Sequence, residues 1–267
     1  MIGILGSGSD SMIVARSIRE KIPDVDVVCF SDNLCIFPAD ASHPDRIMER
    51  AVQGVVHLAG LGAGMILIAS HTISCIAEVA LAKSTLVPVL DILSATVDRA
   101  VLRSRYQRIG IMGSRAVIDS GRYPEKIRER IPEAGIHSVS CPLLMPLIDE
   151  GWIKKPVTAM IVKRYTIPLK TRQIDTLILA GTPYTLLSAV IQRKIGRRVQ
   201  VIDGADALSE MAVSYLSAHP DIAAQLQRTG GTQVMLAWPS ATLEKQAKDV
   251  LNIRNIEIAG FDHHRFS

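Results

Sequence analysis

Apolar residues along this chain gather in short, nearly continuous runs: Met1 to Leu5, Val25 to Phe30, Met65 to Ala69, Leu86 to Leu90, Arg108 to Met112, 175–179, Val199 to Ile202 and Val234 to Trp238. Runs of that length, closed off by Gly, Ser, Thr or Asp, predict strands buried on both faces, as parallel sheets require. Between them the apolar positions take helical spacing. Ile13, Val14, Ile18 and Ile22 predict the first helix, which Ser9 or Asp10 is expected to cap, and others follow near 45–61, 73–83, 92–105, 205–217 and 241–251. Two strands end alike: Met65-Ile-Leu-Ile-Ala-Ser-His-Thr72 and Thr176-Leu-Ile-Leu-Ala-Gly-Thr-Pro183. Ligands of open α/β sheets sit at the carboxyl ends of strands, so Ser70-His71-Thr72 and Gly181-Thr182-Pro183 are the first candidates for a site.

The pattern runs twice. Arg108-Ile-Gly-Ile-Met-Gly-Ser114 echoes Ile2-Gly-Ile-Leu-Gly-Ser7, Leu177 answers Ile66, and Val199-Gln-Val-Ile-Asp203 answers Val87-Pro-Val-Leu-Asp91, in order and at nearly constant spacing. Such a repeat predicts two similar α/β units arising by duplication. Helices near 92–105 and 205–217 are expected to lead out of the first unit and back. The first lobe is then 1–95 plus 208–267 and the second 96–207, with a cleft between them.

A chain of 267 residues that is 48% hydrophobic can bury a large core. Its longest apolar runs are far too short for a membrane helix, and nothing at the N-terminus reads as a leader, so a cytoplasmic protein with no membrane insertion is expected. A net charge of +4 does not imply a nucleic-acid partner. The basic clusters Arg99, Arg103, Arg105, Arg108 and Arg193, Lys194, Arg197, Arg198 read as solvated helix faces and ends. Cys29, Cys35, Cys75 and Cys141 lack metal-ligand spacing and fit a reducing compartment, with Cys29 inert in a strand.

Other features have plain structural explanations. Gly3-Ile-Leu-Gly-Ser-Gly-Ser-Asp-Ser11 places a small-residue loop before a helix, yet lacks the third glycine of a dinucleotide fingerprint and the Lys-Ser/Thr of a P-loop. Its opening also looks like that of the carboxyaminoimidazole mutases, without support downstream. Adjacent His263 and His264 diverge on any regular backbone and predict no metal site. Asp91 and Asp203 follow strands and are expected to cap helices.

Several segments together resemble the aspartate/glutamate racemase family, its glutamate racemases in particular. They are Arg108 to Ser114 with Ile118-Asp-Ser-Gly-Arg-Tyr123, Ser140-Cys-Pro-Leu-Leu-Met-Pro-Leu-Ile-Asp-Glu-Gly151, and Asp175 to Leu187 with Val201-Ile-Asp203. The resemblance covers nearly the whole chain. It implies an α/β fold of two pseudo-symmetric three-layer αβα lobes with mainly parallel sheets, a cleft between lobes, and no cofactor. It also implies chemistry by two cysteines, one removing an α-proton and the other returning one from the opposite face.

The residues that carry that chemistry differ here. The family's Cys-Asn-Thr aligns with Ser70-His71-Thr72, and its Cys-Thr-His with Gly181-Thr182-Pro183. Its Asp-Ser-Gly after the first strand, whose aspartate assists the first cysteine, is Gly6-Ser7-Gly8. Its Pro-Tyr-Gly loop survives as Pro38-Ala39-Asp40, with Asp32 one residue out of register. His71 is the one candidate base, with Cys75 a helical turn beyond it. Ser7, Ser70, His71, Thr72 and Thr182 are the expected ligand-binding residues.

The expectation is therefore a pseudoenzyme of racemase fold with no catalytic residues. It would act by binding, as a scaffold in a protein assembly or homo-oligomer, or as a sensor of a small carboxylate. The alternative is an active racemase-like isomerase or lyase on a small carboxylate, with rearranged acid–base residues.

Overall fold

The computed structural model describes residues 1–32, 44–237, 241–251 and 257–260. In chain order its elements are β1 (Ile2–Gly6), α1 (Asp10–Lys21), β2 (Val27–Ser31), α2 (Pro44–Gly60), β3 (Met65–Ile68), α3 (His71–Lys83), β4 (Val89–Asp91) and α4 (Ile92–Arg103). There follow β5 (Arg108–Gly113), α5 (Arg115–Asp119), α6 (Arg122–Arg130), β6 (Gly135–Ser140), α7 (Leu144–Asp149), α8 (Pro156–Thr171) and β7 (Thr176–Ala180). After a 3-10 turn at Thr182–Leu187 come α9 (Ser188–Ile195), β8 (Gln200–Ile202), α10 (Gly204–Ala218), α11 (Pro220–Gln225), β9 (Thr232–Leu236), α12 (Ala241–Leu251) and β10 (Glu257–Gly260). Cys35, the Pro38-Ala39-Asp40 loop, Trp238 and the His263-His264 pair lie outside the described residues.

Two compact units result: Met1–Ile92 with Leu208–Ser267, and Leu93–Ala207. The first holds a sheet in the order β10-β9-β2-β1-β3-β4, the second a sheet in the order β6-β5-β7-β8. Every strand pair is parallel. The duplication is preserved in register: Gly3 pairs with Ile66 and Gly110 with Leu177, while Ile66 pairs with Val89 and Leu177 with Val201. The order β2-β1-β3-β4 thus recurs as β6-β5-β7-β8.

Burial explains why these runs become strands. All five positions of β1, β2 and β7 are buried, which requires layers on both faces. In the first unit one such layer is α2, whose Ile47, Ala51, Val55 and Leu58 recur at helical spacing and pack against Leu5, Phe30, Ile66 and Ile68. In the second, Val162 and Leu169 of α8 and Ile191 of α9 close over Met112, Leu177 and Leu179. Truncating any of the Ile, Leu, Phe or Met side chains among these to Ala is expected to cost about 2–5 kcal/mol.

Candidate active site

The first unit carries the buried polar residues of interest at the carboxyl ends of β1 and β3. Parallel strands end there in helix N-termini, so the loops gather amide donors and short polar side chains. The loop after β1 is fixed by Ser31 at the end of β2, whose hydroxyl donates to the Gly8 carbonyl at 2.8 Å. Since that uses the one Ser31 proton, Ser11 must be the donor in the 2.6 Å bond between the two hydroxyls. The amide of Asp32 donates to the Gly6 carbonyl, and the Asp32 carboxylate is ion-paired to Arg50 at 2.8 Å.

This rigid loop places Asp10, the first residue of α1. Ser9 stands at the cap position but makes no side-chain capping bond. The Asp10 carboxyl instead turns inward, 8% exposed, where it accepts from the Ser70 side chain and from the Ser7 amide. Both bonds favour ionisation, and so does the N-terminus of α1. Burial opposes them and wins, pushing the carboxyl up to about 7. A buried carboxyl that exchanges its proton near neutrality is suited to acid–base chemistry. Asp10 also answers the phosphate-loop alternative, because the anion position at the start of α1 already holds an acidic side chain.

Glycine at position 6 makes this possible. A Cβ there would lie 2.5 Å from the Ser11 nitrogen and 2.9 Å from the Asp10 Cβ. Where the family has its aspartate, this chain has a glycine, and the Asp10 side chain packs over it.

Of the expected ligand-binding residues, Ser7, Ser70, His71 and Thr72 belong to this unit. Ser7 is buried, and its hydroxyl has no hydrogen-bond partner among the described residues. Ser70 precedes α3 without capping it, which leaves its hydroxyl for Asp10. Thr72 is half-buried in the first turn of α3, and Ser74 is fully buried, its hydroxyl again without a partner among the described residues. His71 does not suit the role of base. It is 2% exposed, and desolvation pushes it down to about 3, so it stays neutral and accepts protons poorly at ordinary pH. Cys75, one turn further on, is buried as well.

The corresponding place in the second unit is built differently. Gly181 follows β7, and a Cβ on it would meet the Tyr184 ring at 3.0–3.1 Å. Tyr184 is buried and donates to the Cys141 carbonyl at 3.3 Å, so its ring fills the space a side chain at 181 would use. Thr182 and Pro183 are buried at the start of the 3-10 turn. Asp203 acts as a cap, accepting from the amides of Ala205 and Asp206 at 2.9 and 3.2 Å. Cys141 and, in the first unit, Cys29 are each pushed up to about 12 by burial, so neither supplies a thiolate near neutrality.

Comparison with known proteins decides the family. The family described as Asp/Glu/Hydantoin racemase matches residues 9–212, well over half of the chain. The chain belongs to this family. It is 32% identical over 215 residues to the glutamate racemase of Syntrophus aciditrophicus, covering 80% of this chain and 79% of the relative. With the glutamate racemase of Aquifex aeolicus it shares 31% over 250 residues, 94% of this chain and 93% of the relative. Among solved structures, the glutamate racemase isoform RacE1 from Bacillus anthracis superposes with a TM-score of 0.89 at 22% identity, covering 98% and 97% of the two chains. The glutamate racemase from Aquifex pyrophilus does so at 0.78 and 28%, covering 97% and 98%. The racemase fold of two parallel-sheet α/β lobes is thereby shown.

These relatives overturn the expectation of a pseudoenzyme. A chain that aligns with named enzymes across most of both lengths is not described by a scaffold or a ligand sensor, and the non-enzyme reading is withdrawn. Without the cysteines and the Asp of Asp-Ser-Gly, the loop still holds a buried titratable group, the Asp10 carboxyl. From the sequence, Asp10, four positions beyond Gly6, reads only as a candidate helix cap. The available signal was an aspartate in the same loop, one helical turn beyond a glycine that replaces an aspartate.

Among the described residues, no helix is long and apolar enough to cross a membrane.

Proposed function

We propose that this chain is an active, cofactor-independent enzyme that moves a proton at the carbon next to a carboxylate. It would be a racemase-like isomerase or a lyase of small amino acids, with glutamate and aspartate the first substrates to test because the relatives are glutamate racemases. The observation that carries this reading is Asp10, a buried carboxyl held by Ser70 and Ser7 and tuned to about 7. In this reading its ionised form takes the α-proton, and Ser70 orients it by donating to the carboxylate. A base of that pKa is half-charged at neutral pH, and Brønsted behaviour favours such a match. The first turn of α3, with the Thr72 hydroxyl, supplies donors for the substrate carboxylate.

Gly181 contributes no acid or base, so the chemistry rests on a rearranged set rather than on two thiols. The buried, reduced cysteines Cys29 and Cys141 support a cytoplasmic setting. The test is incubation with L- and D-glutamate and L- and D-aspartate in deuterated water, followed by proton NMR and chiral analysis. Loss of the α-proton signal, inversion or elimination with any of the four supports the proposal. Unchanged spectra with all four at high enzyme concentration would contradict it.

A further inference from the structure

We infer that the second unit carries a separate site for a small oxyanion, a molecule bearing a phosphate or carboxylate group. Beyond β5 and β6 lies a hollow of about 650 Å³ into which Arg115, at the start of α5, and Arg164, on α8, both face. Neither arginine makes an ion pair or hydrogen bond among the described residues, whereas Arg99, Arg122 and Arg130 of the same unit are paired with Asp206, Glu125 and Asp98. Two guanidinium groups lining one concavity, against a single carboxylate, offer charge-assisted donors to an oxyanion.

Two hydroxyls add to this. The Ser140 Oγ, at the end of β6, is buried without a hydrogen-bond partner among the described residues. Tyr165 accepts from the Leu143 amide at 3.3 Å, which leaves its own O–H to donate. Leu143 and Pro142 give the wall an apolar strip for a carbon skeleton. Asp119 is the single acidic group of the lining and opposes an anion, so its charge should weaken binding measurably. Neither Gly181 nor Thr182 contributes to the lining, and the inference does not depend on the acid–base chemistry at Asp10.

The test is calorimetric titration of the whole protein with inorganic phosphate and, separately, with malonate, at fixed ionic strength. Saturable binding of at least one probe is expected, and the preferred probe shows whether the natural group is a phosphate or a carboxylate. R115Q and R164Q should each weaken binding about tenfold or more, the loss of a charge-assisted hydrogen bond. R115K and R164K should recover part of it, because the charge stays while the fork is lost. D119N should bind more tightly than the unmodified chain, and R197Q, an exposed arginine outside the hollow, should leave affinity unchanged. All the altered arginines are exposed, so unliganded melting temperatures should stay at the parent value. Failure of both probes to bind, equal weakening by R197Q, or indifference to both R115Q and R164Q would overturn the site.

Discussion

The Ser70 side chain hydrogen-bonds the carboxyl of Asp10, and the two residues stand at the N-terminal ends of α3 and α1. The resemblance noted in the sequence leads one to expect a cysteine at position 70 and an assisting aspartate at position 6; this chain has Ser70 and Gly6 there and carries its buried carboxyl at Asp10. A Cβ on Gly6 would collide with the Asp10 Cβ, so the glycine leaves room for that side chain.

Burying Asp10 works against stability, and the sign is testable. Its folded-state pKa, about 7, is above the ordinary 3.8, so the folded protein binds the proton more tightly than the unfolded chain. This contribution is most favourable below about pH 4 and is lost as pH rises to about 7. An Asp10→Asn variant, which cannot ionise, should therefore gain stability over the parent above pH 7, on the order of a few kcal/mol. Urea unfolding at pH 5 and pH 8 checks this: the gain should grow with pH, while activity is lost.

His71 has the opposite sign. Its folded pKa, about 3, lies below the ordinary 6.5, so the unfolded chain binds the proton more tightly. Stability from this group is present above about pH 6.5 and is lost as pH falls toward 3. A His71→Gln variant should lose less stability than the parent on acidification from pH 7 to pH 4, measured by thermal unfolding. Its pH–activity midpoint should stay where the parent's is, since His71 is neutral throughout the active range.

Much of the scaffold was legible because saturated apolar runs permit few structures. β1, β3, β5 and β7 were readable as buried strands, and their repeat foreshadowed the shared register of Gly3 with Ile66 and Gly110 with Leu177. β6 was not, because Gly135–Ser140 is half-exposed at a sheet edge and includes His137 and two serines. The site was harder for a different reason. Motif comparison registers a residue missing at a position, whereas the Asp10 carboxyl reaches Ser70 from another position through the geometry of a loop. Nor does sequence show that desolvation outweighs two hydrogen bonds at Asp10 and leaves His71 a weak base.

Gly6 should be intolerant of a side chain. A methyl there must displace the Ser11 backbone or the Asp10 side chain, and such overpacking costs about 1–3 kcal/mol. Gly6→Ala is expected to lower the melting temperature and to reduce kcat more than it raises KM, because the disturbance falls on the acid–base group. Steady-state kinetics beside thermal unfolding separates the two effects.

Thiol reagents should distinguish this chain from a two-cysteine enzyme. Cys29 and Cys141 are buried and pushed up to about 12, so neither is thiolate at pH 8. Iodoacetamide should leave both unmodified in the native protein and label both after denaturation, as read by peptide mass spectrometry. Activity of a Cys29→Ala, Cys141→Ala double variant should remain within a few-fold of the parent, allowing for some loss of packing.

The most direct measurement is the pH dependence of α-proton exchange for the parent and its Asp10→Asn and Asp10→Glu variants. The parent's kcat/KM should rise with pH through an apparent pKa near 7, the ionisation of Asp10. Asp10→Asn should lose about 10²–10⁴-fold and with it the pH-dependent limb, while Asp10→Glu keeps a limb at lower rate. A parent profile without that limb, or an Asp10→Asn variant that retains it at full rate, would contradict the assignment of Asp10 as the acid–base group.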